Sequence, residues 1–299
     1  LARERVLGAN ALLTTVRRRA RLHPMVARRH FFTTGTLRFF EVEVASSYEL
    51  EAAASRPPED GDGRILYLLP TADETASDLR RTAEGVTAPD RARTLVIVAV
   101  PENAAEILGA AADLDAWLEM RQVTAELAGD AIARRELAAR VAAAEERLDA
   151  ALGDAFGWGE RDTRTASEWF HHGRRFSCSP RDLAEELSRI FDEVFCEAPH
   201  VHNELINRHA LSSAAAAARR ALIDRMLSNA GAERLGIEGF PPEFSMYASV
   251  LLDGDLHRNV GGRFCFAAPA PSNPRRMRPT WDAINAFLDV TDGNRQPLH

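Results

Sequence analysis

Two short runs of the chain leave little freedom in what it can become. RILYLLP (64–70) and TLVIVAVP (94–101) are apolar throughout except at their ends. Neither shows the alternation of a strand with one wet face. Each is followed by helical spacing, at 72–84 and at 103–120. Strands that are apolar on both faces and alternate with helices predict a parallel sheet covered on both sides. An earlier stretch, HFFTTGTLRFFEVEV (30–44), is rich in aromatic and β-branched residues and nearly alternates from Leu37, which predicts a strand or hairpin. SRPPEDGDG (55–63) is a loop by composition.

Helices fill most of the remaining first half. Residues 1–22 place Val6, Leu7, Leu12, Leu13 and Val16 on one side, with Arg17, Arg18, Arg19 and Arg21 close behind. Residues 130–156 predict one long amphipathic helix, with Leu137, Val141, Leu148, Leu152 and Phe156 mostly four apart. Such a helix can bridge two subdomains, or pair with the helix before it. The glycine-rich, charged break at 153–164 marks a domain boundary, giving domains 1–157 and 158–299.

In the second half, SEWFHHGRRFS (167–177) reads as a strand kinked at Gly173. Ser179 and Pro180 start a helix whose buried stripe is Leu183, Leu187, Ile190, Phe191, Val194 and Phe195. Ser212 and Ser213 are N-cap candidates for an alanine-rich helix that stops near Asn229 and Gly231. Pro241 and Pro242 suit the first turn of a second helix. Residues 256–266 predict a hairpin turning at 259–262. Helix, turn, helix, hairpin is the order of a winged helix. AAPAPSNP is a linker, a last helix at 280–288 is anchored by Trp281, Ile284 and Phe287, and the tail 291–299 is expected to be disordered. The expected class is α/β: a small mostly parallel sheet flanked by helices, a long helix, then a mostly α winged-helix-like domain.

All 37 basic residues are arginine. A chain without lysine has no GxxxxGK[ST] phosphate loop and no lysine nucleophile. If it belongs to an ATPase, the phosphate-binding lysine lies outside these residues. The net charge of -7 is uneven. Residues 1–38 hold nine arginines and one acid, Glu4, and residues 257–278 hold Arg258, Arg263, Arg275, Arg276 and Arg278 with no acid. Basic patches on an acidic protein can contact phosphates. The expected nucleic-acid contacts are Arg258, Arg263, Arg219, Arg220, Arg17 and Arg18, with the hairpin favoured and the binding non-specific. The second helix of the winged-helix-like stretch has Glu243, Phe244, Met246 and Tyr247, and lacks the residues of a base-reading helix. Arg208, Arg219, Arg220 and Arg225 suggest either phosphate contact or an arginine finger towards a neighbouring ATPase subunit.

Other chemistries find less support. Thr71, Asp73, Glu74, Glu102 and Asn103 fall beyond the ends of the two apolar strands, where α/β proteins bind small molecules. Neither strand ends in the hydrophobic-to-Asp-Glu pattern of an ATPase core, and helix capping is the favoured reading of Thr71 and Asn103. Cys196, His200 and His202 have spacings that zinc accepts, yet no second ligand pair accompanies them, and no metal site is expected. His171 and His172 would point to opposite faces of a strand. There is no GxSxG elbow. Cys178, beside a helix start, is the best-placed thiol for a lowered pKa. Three scattered cysteines, no signal peptide and no apolar run of membrane-spanning length fit a cytoplasmic protein without a membrane partner. The first residue, Leu1, suggests a piece of a longer polypeptide.

The runs NELINR, LSSAAAAARRALIDRML, LGIEGFPPEFSMYASVLL and DGDLH, with HFFTTGTLRFFEVEV and ELAGDAIARRELAAR before them, resemble the later part of the very large ATPases of bacterial BREX and phage-growth-limitation defence systems (BrxC- and PglY-like proteins). The resemblance covers roughly residues 23–290. It implies a non-P-loop portion of an anti-phage defence ATPase, a scaffold and nucleic-acid-engaging module with DNA and other defence proteins as partners. ATP and Mg are implied for the parent protein and no cofactor for this chain. No catalytic residue carries over. The alternatives are a stand-alone winged-helix DNA-binding protein, and a small-molecule enzyme with its site at the strand ends.

Overall fold

A computed structural model describes residues 2–20, 22–71, 74–89, 94–123, 130–157, 167–177, 179–207 and 212–291. The chain divides into two compact units, Leu1–Val26 with Phe39–Ala184 and Ala27–Arg38 with Glu185–His299. The first unit continues past the sequence-based boundary at 157 to Ala184, and the second takes in an early excursion of the chain.

The first unit is α/β and is built on six strands whose order in the sheet follows the chain. They are β1 (Met25–Val26), β2 (Phe39–Ser46), β3 (Gly63–Leu69), β4 (Val96–Pro101), β5 (Ser167–His171) and β6 (Arg174–Phe176). β2, β3 and β4 run parallel, but β1 pairs with β2, β4 with β5 and β5 with β6 antiparallel. The sheet is therefore mixed, not mostly parallel. The correction comes from 167–176, a hairpin that turns at His172 and Gly173, both with positive φ. It lays β5 against β4 with Val98 opposite Phe170.

Both faces of β3 and β4 are buried, as their composition requires. Leu66, Leu68, Val96, Val98, Val100 and Phe170 pack on α3 (Ser47–Ser55) and α4 (Ala76–Val86). On the opposite face Tyr67 lies against Phe156, ring centroids 3.8 Å apart, and edge-on to Trp169 at 5.7 Å. Phe156 ends α6 (Ala131–Phe156), which packs on α5 (Ala104–Val123), and α5 packs on α1 (Ala2–Arg19). Asp130 caps α6 through Ile132 and Ala133 N–H, and Gly157 closes it in the left-handed region. Leu137, Val141, Leu148, Leu152 and Phe156 form its buried stripe. α4 starts at a Thr75–Asp78 capping box, not at residue 72, so Thr71 is not its cap. Arg64 is buried, and its guanidinium donates to Ala53 O, Arg56 O and Pro57 O at the end of α3 and to Glu41.

The second unit begins with α2 (Arg28–Thr34), where the sequence suggested a strand. Aromatic and β-branched side chains are used here in a short helix, because its carbonyls and side chains find partners in the same unit. Gly35, at φ 80°, ends it against the backbone of residue 201; a Cβ there would fall 2.0 Å from Val201 O. α7 (Pro180–Val194) starts at Ser179, whose Oγ accepts from Asp182 N–H at 3.2 Å. Its stripe buries Leu183, Leu187, Ile190 and Phe191, whereas Val194 is exposed.

α8 (Ser213–Ser228) is capped by Ser212. A short 3-10 turn at Glu233–Gly236 leads to α9 (Pro242–Met246), and a π-helical turn at Tyr247–Leu252 follows directly. β7 (His257–Val260) and β8 (Arg263–Phe266) form a hairpin across Gly261 and Gly262, both at positive φ as a tight two-residue turn needs. Leu222, Leu235, Ile237, Met246, Tyr247 and Leu251 make this core. α10 (Met277–Thr291) is longer than expected and is not anchored as expected. Met277 is buried, but of the expected anchors Trp281 is only half-buried and Ile284 and Phe287 are exposed. No helix among the described residues is long and apolar enough to cross a membrane.

Candidate nucleic-acid interface

The six arginines expected at phosphates divide into two groups. Two have structural work. Arg17 donates from Nε to Val44 O at 3.0 Å and from Nη2 to Glu49. Arg258 donates to Asp255 O at 2.8 Å, Asp255 Oδ2 at 2.5 Å and Ala268 O at 2.8 Å. It clips the hairpin to the chain that enters and leaves it. The Asp255–Arg258 spacing was visible in DGDLHR and marks an arginine already partnered.

Among the described residues Arg18 reaches only the hydroxyl of Thr15, at 3.4 Å. Arg219 and Arg220, on α8, and Arg263, on β8, are exposed and make no ion pair among the described residues. Arg225, on the same helix, donates to Gly236 O at 3.0 Å. Arg208 and His209 lie outside the described residues, as do Asp73, Cys178 and the tail from 292.

The hairpin that carries Arg263 is held by a buried histidine. His257 is fully buried; its Nε2 lies 3.0 Å from Ala230 O and its Nδ1 3.0 Å from Tyr247 Oη. A carbonyl only accepts, so Nε2 carries a proton and donates to Ala230 O, and Nδ1 shares a second hydrogen bond with the Tyr247 hydroxyl. One ring thus ties β7 to the π-helical turn and to the end of α8. Burial pushes the Tyr247 phenol pKa up, the sense that keeps this hydroxyl protonated. Sequence reading missed this tie, because a histidine in a strand announces no partner.

A second unforeseen feature lies between the helices. Arg234 is stacked over Phe244 at 4.0 Å and near Phe240 at 5.6 Å, and donates to Gly239 O at 2.8 Å. Phe240 itself is 86% exposed. Its neighbours Glu233 and Glu238 are also exposed, so the surface beside Phe240 carries acidic groups as well as the Arg234 guanidinium.

At the strand ends of the first unit, Glu74 Oε2 accepts from Thr71 N–H at 2.7 Å, Thr71 Oγ1 at 3.0 Å and Ser47 Oγ at 2.8 Å. These groups shape the β3–α4 loop. Asn103 Nδ2 donates to Ala151 O at 2.9 Å, and its buried Oδ1 has no partner among the described residues. His171 and His172 do not diverge, because His172 is in the turn; their rings stack at 4.0 Å. No group of three His, Cys, Asp or Glu side chains among the described residues is arranged to hold a metal ion. The residues with zinc-like spacing serve otherwise: His202 hydrogen-bonds Phe32 O, and Cys196 is exposed.

Fifteen arginines and fifteen acidic residues fall in the second unit, so the chain's net charge of -7 falls on the first. Comparison with protein-family models, with curated proteins and with solved structures finds no match to this chain.

Proposed function

We propose that this chain is a scaffold and nucleic-acid-engaging portion of a large bacterial anti-phage defence ATPase whose phosphate loop lies outside it. The second unit meets the phosphate backbone without reading sequence. The observation that carries this reading is the set of exposed arginines without ion-pair partners among the described residues, Arg219, Arg220 and Arg263, on a unit of zero net charge. The helix–turn–helix–hairpin order of α8, α9, β7 and β8 supports a winged-helix-like use of the hairpin. The resemblance to BREX and phage-growth-limitation ATPases supplies the defence setting and the DNA partner.

Binding of a short fluorescent duplex, followed by anisotropy across a salt series, tests the DNA contact. Log K should fall linearly with log salt, with a slope reporting about two to three neutralised phosphates. Changing Arg219, Arg220 and Arg263 together to alanine should make that slope shallower, by about one for each phosphate left without its arginine. No binding at low salt, or an unchanged slope in the triple variant, ends the reading.

One arrangement favours a second reading, a small-molecule site in the first unit. α4 and α5 leave adjacent parallel strands towards opposite faces of the sheet, which is where α/β proteins open a crevice. The unpartnered Asn103 Oδ1 sits at that end. A metabolite retained through purification and lost in Asn103→Ala would favour it over the DNA reading.

A further inference from the structure

α10 carries an apolar stripe that its own unit does not use. Met277, Trp281, Ile284 and Leu288 recur at spacings of four, three and four. That alternation holds a seam on one side of a helix and is the pattern a second helix packs against. Met277 is buried at the foot and Trp281 half-buried, but Ile284 is 54% exposed and Leu288 56%, with Phe287 at 37% beside them. No other element among the described residues packs along this helix. A helix of 15 residues is marginal in water by itself and owes most of its stability to covering its apolar side.

The charges of α10 run against its own dipole. Its first turn holds Arg278 and no acid, and its last turn holds Asp289 and no base. A helix N-terminus is partly positive and a C-terminus partly negative, so each charge stands at the end that disfavours it. Arg275 and Arg276, just before the helix, add to the same end. Asp282, one turn on, relieves Arg278 at 2.8 Å. Asp289 makes no ion pair among the described residues. Arg278, Asp282 and Asp289 share one flank of the helix, beside the seam.

A second copy of this helix, laid antiparallel, satisfies both features. Trp281 of each copy then meets Ile284 of the other, and Leu288 of each reaches the other's foot at Met277. The twofold sets charged flank beside charged flank. Asp289 comes within two residues, about 3 Å along the axis, of the other copy's Arg278. Each N-terminus gains an acid and each C-terminus a base. A parallel copy fails on both counts. It sets Trp281 against Trp281, turns the charged flank towards Thr280 and Phe287, and leaves both dipoles uncorrected.

We propose that α10 is a self-association surface that docks antiparallel on α10 of a second copy of this chain. A seam of about four turns buries less than a standard stable interface, so the pairing is reversible and its affinity micromolar. The proposal does not rest on the DNA reading, which uses α8 and the hairpin.

Sedimentation velocity of the full chain, from about 1 to about 200 µM, reads the association by mass action. The weight-average mass should climb from monomer towards dimer across that range. Ile284→Asp places a charge in the middle of an exposed seam, away from the core, and should weaken association about tenfold or more. Asp289→Arg sets like charges together and should weaken it about threefold or more. Adding Arg278→Asp to that variant should restore association, because each copy then meets the other's reversed charge. Far-UV circular dichroism checks that each variant is folded. A wild-type chain that stays monomeric at the top of the range overturns the proposal and leaves the stripe to a different protein or another segment. So does a dimer that Ile284→Asp leaves intact, since another face would then hold it. An Asp289→Arg dimer of wild-type strength, or a double variant no stronger than the single, overturns the antiparallel pairing.

Discussion

The two units bury different chemistry at their centres. In the first, Ile65, Leu66, Leu68, Leu69, Ile97, Val98 and Ala99 are all inaccessible to water, and the aromatic trio Tyr67, Phe156 and Trp169 closes the other side. Its histidines lie at or near the surface. In the second, the two fully buried histidines of the described residues, His30 and His257, sit at junctions between segments. The first unit is thus held mainly by area removed from water, which is insensitive to pH. The second adds directional bonds from buried rings to backbone and side chains, so its joints depend on bond geometry where those of the first depend on area.

The largest effect should come from cutting the first unit's core. Leu66→Ala removes a fully buried side chain between the sheet and its helices and should cost about 2–5 kcal/mol, read from urea unfolding. A loss below about 1 kcal/mol would mean that this core is loosely packed, and the contrast would weaken.

Next is an acid-side effect, also in the first unit. Burial alone would raise the Glu41 pKa, but donation from the backbone N–H of Asp60 and Gly61 and from Arg64 outweighs it and brings the value to about 2. A depressed carboxylate stabilises the fold above its unfolded pKa, and that contribution disappears as pH falls from about 4.5 towards 2. Glu41→Gln should remove up to about 3 kcal/mol of stability at pH 7 and flatten the unfolding profile through that window. A profile of wild-type steepness would place the acid sensitivity elsewhere.

The smallest effect sharpens the other side of the comparison. His257→Phe keeps a ring in the second unit's core but strands Tyr247 Oη and Ala230 O, at a cost of about 1–3 kcal/mol. The loss should be confined to protection of β7, β8 and the π-helical turn. If β3 and β4 lost protection equally, the two units would unfold as one body.

These differences explain what was legible in the chain. β3 and β4 could be read because burial on both faces writes itself into seven and six consecutive residues. The antiparallel flank could not, because 167–176 carries no mark of which strand it joins. Residues 28–34 were read as extended because local propensity favours that, and the bonds at Thr34 O and Phe32 O that overrule it come from residues about 170 positions away. Helix starts at Ser179 and Ser212 were legible, since a cap acts within three residues. Arginine roles were half legible. Arg258 had its partner in view three residues earlier, but nothing near Arg17 announced Val44 O or Glu49. Arg219, Arg220 and Arg263 remain as the exposed candidates.

The π-helical turn at Tyr247–Leu252 has a consequence for how this region tolerates length change. A π turn carries one residue more than the α path it replaces. Removing a single residue there would restore ordinary helical bonding and leave the ladder intact. It would also rotate everything downstream by about 100°, the angle one helical residue subtends. Tyr247 would then face away from the ring it serves, and the hairpin would lose its fastening although each segment kept its own shape. The extra residue acts as a phase setting between helix and hairpin, so a shortened homologue would need a compensating insertion before β7.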